Sequence, residues 1–214
     1  MRRVSYGFAV DGRTYDADLY VHEEPAKAAL VLVPGVAREG KNDRRLIAFA
    51  QALSQAKFLV LVPEIENLRD LRVSTDDVTA IGDAVVHLSR NVDQAGVGLV
   101  AISYAAGPAL IASVQERTRS LLRFVMAVGG YYDIEATVTF FTTGHFRESP
   151  DRRWRRVEPN PYGKWVFLKS NVDRVADWVD RALLWEMAAL SPTWPDPPVR
   201  DGFSSTMAGR LPDV

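Results

Sequence analysis

VLVPGVAREGKNDRR, residues 31–45, can be read in two ways, and the fold depends on which is right. An apolar run ends at Pro34, a glycine-containing loop follows, and a helix-forming segment starts near Asp43. Written as GVAREGKN, residues 35–42 nearly meet the phosphate-cradling pattern G-x-x-x-x-G-K-[ST], with Asn42 where a magnesium-binding hydroxyl belongs. The same loop can instead be the turn after a central strand, where one backbone amide is positioned to hold a developing oxyanion.

The flanking sequence favours the second reading. Upstream, residues 4–10 and 14–21 have strand-type residues joined by Asp11-Gly12, a hairpin signal. ALVLVP (29–34) is apolar throughout, as a strand buried on both faces must be. Leu46, Ile47, Phe49, Ala50 and Leu53 recur at helical spacing behind an Asn42-Asp43 cap, predicting a helix over 43–56. The alternation continues with FLVLVPEI (58–65), a helix over 75–90, VGLVAI (97–102), a helix over 105–116 and RFVMAV (123–128). Such order predicts a mainly parallel sheet with helices on both faces and an antiparallel N-terminal edge. A nucleotide-binding loop would want an aspartate closing the second apolar strand, whereas FLVLVPEI ends in Pro-Glu.

VGLVAISYAAGPAL, residues 97–110, runs a buried strand straight into Ser103 and then into a small-residue helix start. A serine held at so tight a bend needs small neighbours two positions away on either side, and Ala101 and Ala105 occupy those positions. The competing role for Ser103 is to cap the following helix.

Composition limits the function classes. With 26 Lys and Arg against 27 Asp and Glu, the formal charge of -1 carries no basic excess for nucleic acid. The absence of cysteine excludes disulfides and a thiol nucleophile. No His or His-carboxylate cluster falls at ligand spacing, so neither a metal nor a cofactor is expected. No apolar stretch approaches membrane-spanning length, and the N-terminus has no signal-type core, so a cytoplasmic protein without a membrane is expected.

On these residues the chain resembles the α/β-hydrolase superfamily: serine esterases, dienelactone hydrolases and prolyl-peptidase-like enzymes. The hairpin, the strand ending at Pro34-Gly35, the alternating units and the bend at Ser103 carry the resemblance, as does MAVGGYYDIEA (126–136) after the next strand. It covers residues 1–141 as a core lacking the C-terminal strands, with 142–190 as a cap-like helical segment and 191–214 as an irregular tail. Within 142–190, residues 142–169 are expected to be irregular and 171–190 a single amphipathic helix, with WVFL (165–168) as at most one isolated strand.

The resemblance implies an acyl-serine hydrolase of esters, thioesters or amides, with Ser103 as nucleophile and the backbone amides of Val36 and Tyr104 as the oxyanion hole. A triad also needs an acid and a histidine in the order Ser, Asp, His. Asp133, just past the sixth strand, and His145, the one histidine downstream of Ser103, are the candidates; the other two, His22 and His87, lie upstream. Since the strands that bear these groups in the superfamily are missing here, the triad is expected to be incomplete and the chain to be a fragment or truncated member. A hydrolase-fold protein without activity is the alternative, and a phosphate-loop protein a further one.

A small acyl substrate is the expected partner, in a pocket to which Tyr131, Tyr132, Phe140, Phe141, Trp154 and Trp165 contribute. The basic run DRRWRR (151–156) is expected to be a solvated loop. A sheet that stops short presents an apolar edge, for which either association as a homo-oligomer or poor solubility is expected.

Overall fold

A computed structural model describes residues 1–93, 96–131 and 133–190, the last three of these without their side chains. Tyr132 and the tail 191–214 lie outside the described residues. The chain divides into two compact units, one ending at Tyr132 and one beginning at Asp133.

The first unit contains a six-stranded sheet. Strands β1 (Arg2–Val10) and β2 (Arg13–Val21) form the hairpin, turning at Asp11 and Gly12, both with positive φ. Then follow β3 (Ala28–Val33), helix α1 (Arg44–Gln55), β4 (Phe58–Pro63), a short α2 (Glu66–Arg69), α3 (Asp76–Arg90), β5 (Val97–Ile102), α4 (Ala106–Val114), a short α5 (Glu116–Arg119) and β6 (Leu122–Val128). The strands lie in the order β1-β2-β4-β3-β5-β6; β1, β2 and β4 pair antiparallel, and all later pairings are parallel. This is the mainly parallel sheet with an antiparallel N-terminal edge that the alternation predicts.

The central strands are apolar throughout because both of their faces are covered. Leu30 and Leu32 of β3 and Val100 of β5 pack with Leu46 and Ala50 of α1 on one face. By the pleat, Val31, Val33, Leu99 and Ala101 point to the opposite face, all almost completely buried, where α3 and α4 pack together and against these strands. Asp43 starts α1 as the sequence predicts, its carboxylate accepting from the amides of Arg45 (2.8 Å) and Leu46 (3.4 Å).

One buried polar joint ties the hairpin to the loop after β3. Asp18 on β2 accepts from Arg3 Nε on β1 (3.0 Å) and from Lys41 Nζ (3.1 Å), and Lys41 also reaches Asp16 at 3.1 Å. A second joint gathers Arg13, Tyr15 and Arg117 around the fully buried carboxylate of Asp83.

The second unit consists of α6 (Ile134–Thr143), a two-residue ladder of β7 (His145–Phe146) with β8 (Arg155–Arg156), α7 (Pro161–Asn171) and α8 (Trp178–Leu190). Two expectations fail here. Residues 142–169 are irregular only in part, over 147–154 and 157–160: Asn160 caps α7 by accepting from the Tyr162 amide at 3.0 Å, with Pro161 at the first helical position, and WVFL lies inside that helix. Nor is 171–190 one helix. Asn171 ends α7, Val172–Arg174 form a 3₁₀ turn, and Asp177 accepts from the Val179 (2.8 Å) and Asp180 (3.1 Å) amides at the start of α8. Local caps at Asn160 and Asp177 override the helical spacing of Val172, Val175, Val179, Leu183 and Met187, which by itself suggests one helix.

Candidate functional site

The site is built at the end of β5. Ile102 is still extended, Ser103 turns abruptly to φ 55°, and a 3₁₀ turn over Ser103–Ala105 leads into α4. A non-glycine residue in the left-handed region costs on the order of 1–2 kcal/mol, a cost that a packed surround must hold in place. The surround supplies this hold, because Ala101, Tyr104, Ala105 and Ala106 are all buried while Ser103 itself is exposed. The chain thus pushes one hydroxyl outward from a bend whose other members are locked.

Crowding explains the small residues. A Cβ added at Gly35 would lie 3.3 Å from the Ile102 carbonyl oxygen and 3.5 Å from the Ser103 Cβ, so the loop after β3 runs directly against the bend. A Cβ at Gly130 would collide with the Ala106 Cβ at the start of α4. One at Gly107 would come to 2.5 Å from the Tyr131 hydroxyl, whose ring meets Tyr104 edge-on with centroids 5.9 Å apart. These glycines and Tyr131 frame the bend, and Tyr131 does so as packing; burial raises its phenol above the ordinary range. The sequence reading assigns Tyr131 to a pocket and misses this packing role, for which the signal is the small Gly129-Gly130 pair directly before it.

Ser103 does not cap the helix. The cap positions of the 3₁₀ turn and of α4 carry no side-chain cap bond, and among the described residues no hydrogen bond engages the Ser103 hydroxyl. Val36, directly after Gly35, is buried beside it in sequence, and Tyr104 follows Ser103 at the helix entry, where the helix end favours negative charge.

The phosphate reading of GVAREGKN fails on Lys41. Its amine is buried between Asp16 and Asp18; burial alone would lower its pKa, but the bonds to Asp18 and Asp16 outweigh that and keep the ammonium above its ordinary value. A lysine clamped by two carboxylates is not available to a phosphate, which those carboxylates would repel.

The histidines of the first unit are engaged elsewhere. His22 accepts from the Glu24 amide (3.0 Å). His87 bonds the Tyr6 hydroxyl at 2.9 Å and stacks on Phe8, both on β1, which the strand order places four strands from β5, about 19 Å at ordinary spacing. Asp133 and His145 belong to the second unit. Asp133 caps α6, accepting from the Ala136 amide at 3.0 Å, and His145 is exposed on β7 just past the other end of that helix. Ten residues of α-helix separate them, about 15 Å of rise, so the structure does not bring this pair together.

Within the second unit, Phe140 and Phe141 lie together, their ring centroids 5.9 Å apart. Phe140 packs against Phe146, Phe141 lies against Gly163, and Trp154 is exposed beneath Arg147 at 4.8 Å. Tyr132 lies outside the described residues. In DRRWRR, Arg155 pairs with Glu148 at 2.8 Å, both well exposed. A polar cavity of about 580 Å³ opens beside Arg13, Asp16, Glu64 and Asp77; Ser103, Val36 and Tyr104 are not in its lining.

Strand order, the left-handed serine and its surround define an α/β-hydrolase type of fold. Solved structures agree: the chain is similar to the α/β-hydrolase GrgF from Penicillium (18% identity, TM-score 0.52, 62% of this chain and 47% of that one). It is also similar to a dienelactone hydrolase from Anabaena variabilis (16%, 0.50, 64% and 67%). A third likeness is to a protein of Lactobacillus plantarum provisionally assigned as a carboxylesterase (12%, 0.54, 89% and 99%). The chain spans about half the length of GrgF. No family model and no curated protein sequence matches it. Among the described residues, no helix is long and apolar enough to cross a membrane.

Proposed function

We propose that the protein is a serine hydrolase of esters, thioesters or amides, with Ser103 as the nucleophile. The observation that carries this is the exposed, unbonded Ser103 hydroxyl at φ 55° in a bend of otherwise buried residues. A packed protein tolerates that strain where a reactive group must stand clear of its backbone. In this reading the hydroxyl attacks an acyl carbonyl, and the new C–O bond places negative charge on the carbonyl oxygen. The amides of Val36 and Tyr104 stabilise that charge, supported by the N-terminal end of α4.

Attack also requires a base to take the hydroxyl proton. With His22 and His87 engaged away from β5, neither histidine of the first unit is that base, and the Asp133 carboxylate is taken up as the cap of α6. That same engagement of the first unit's histidines favours a second reading, a hydrolase-fold protein that holds acyl compounds without turning them over.

A fluorophosphonate probe separates the two. Covalent labelling of the full chain at Ser103, lost in Ser103→Ala, is the result expected of the hydrolase. A folded chain that stays unlabelled overturns it in favour of the non-catalytic reading.

A further inference from the structure

Glu64 directly follows β4, and its carboxyl group lies over Gly40 in the neighbouring loop after β3. A Cβ added at Gly40 would collide with both carboxyl oxygens, and Gly40 stands at φ 49°, where side chains are rare, so only glycine fits beneath Glu64. The Oε1 atom of Glu64 is shut off from solvent and has no hydrogen-bond partner among the described residues. We propose that Glu64 is a positioning residue: its carboxyl group pins the loop 35–42 at Gly40 and so keeps the Val36 amide beside the bend at Ser103. This rests on the reading of Ser103 as the nucleophile.

The hold is short and direct. Glu64 is itself fixed by its amide, which donates to the Asp16 carbonyl of β2 at 2.8 Å. On the loop side the Gly40 amide donates to the Ala37 carbonyl at 2.9 Å, and the Gly40 carbonyl accepts at 3.2 Å from the amide of Asp43, the cap of α1. Gly40 is therefore the corner between the turn that follows Val36 and the helix beyond it. At the near end Gly35 lies against Ile102 and Ser103, so Val36 sits between two crowded glycines. Oxyanion donors act by being held in place beforehand, and a displacement of about 1 Å can slow a reaction about 100-fold.

Packing alone would be served better by an amide or an apolar side chain, since a buried carboxyl oxygen without a partner is destabilising. What a carboxyl group adds is charge. The Lys41 amide and ammonium and Arg69 of α2 favour the ionised form of Glu64, Asp16 of β2 opposes it, and burial, the largest influence, raises the group above its ordinary value of 4.5. The polar cavity that Glu64 lines adds Glu66 of α2, Asp76 and Asp77 of α3, and Arg13 of β2, which is held by Asp83. The pull on the Lys41 segment is full while Glu64 is ionised and weakens as pH falls through the raised value.

Glu64→Gln keeps the shape and removes the charge, whereas Glu64→Ala uncovers Gly40. At neutral pH, fluorophosphonate labelling of Ser103 is expected to slow at least tenfold in Glu64→Ala and to come back to within threefold of the unmodified chain in Glu64→Gln. The labelling rate of the unmodified chain relative to Glu64→Gln should then fall at least threefold as pH is lowered toward 4.5, a step that a merely structural side chain would not give. The Gly40 and Lys41 amide resonances should shift over the same window in Ser103→Ala, and that shift should be absent once Glu64→Gln is added. Resonances that titrate while no variant is labelled would leave the hold on the loop standing and remove the nucleophile reading instead. Resonances that do not respond to Glu64, or a labelling ratio that is flat in pH, would overturn the proposal.

Discussion

Gly35 and Ser103 stand so close that a single methyl group placed on the glycine would sit 3.5 Å from the serine Cβ. The loop after β3 and the bend after β5 are therefore one packed object, because β3 and β5 are adjacent parallel strands that end at the same edge of the sheet. Two stretches about 70 residues apart in the chain become neighbours through strand order alone.

The strain at Ser103 predicts a stability difference between two inactive variants. Ser103→Gly and Ser103→Ala should both abolish probe labelling. Glycine accepts φ 55° without a Cβ clash, so Ser103→Gly is expected to be about 1 kcal/mol more stable than Ser103→Ala in urea denaturation. Equal stabilities would show that the bend relaxes in solution.

Gly130→Ala tests the frame behind the bend. The added carbon meets the Ala106 Cβ, and since both lie in packed backbone, α4 has to move. Roughly 1–3 kcal/mol of destabilisation is expected, the range for overpacking, together with slower labelling of Ser103. Unchanged melting and labelling would count against the close approach.

Lys41→Met should cost about 3 kcal/mol, the low end for breaking a buried pair, because Arg3 still faces Asp18 after the amine is gone. Nucleotide affinity, measured by calorimetry with ATP and magnesium, should be absent both before and after the change. Binding that disappears with Lys41 would restore the phosphate reading.

His87 predicts a pH effect with a definite sign. Burial lowers its imidazole below the ordinary 6.5, so the unfolded chain takes up a proton more readily than the folded one. The stability attached to neutral His87 is present above pH 6.5 and is lost as pH falls from there through the folded value. Below that value it declines no further. His87→Gln should flatten the urea midpoint across this window relative to the unmodified chain, and parallel profiles would exclude the effect.

Most of the first unit is legible in the sequence because burial on both faces forces a continuous apolar run, and ALVLVP, FLVLVP and VGLVAI can be little else. Ser103 is legible for a related reason: a strand, a serine and small residues follow without a gap. The second unit is less so. Its helices are set by single capping residues, Asn160 and Asp177, whose local bonds outweigh the spacing of Val172, Val175 and Val179. In the sequence Asp133 reads as an acid or, more readily, as a helix cap, and the bond from the Ala136 amide makes it the cap. The engagement of Lys41 was hidden because its partners, Asp16 and Asp18, lie on a different strand some 25 residues earlier.

That three-way knot of Arg3, Asp18 and Lys41 makes the first few residues of the polypeptide a tether for a turn more than thirty positions downstream. Trimming the amino terminus past Arg3 would slacken the GVAREGK segment and, with it, the Val36 amide that faces the reacting oxygen in the proposed chemistry. A tag or cleavage there is thus expected to disturb turnover long before it unfolds the sheet.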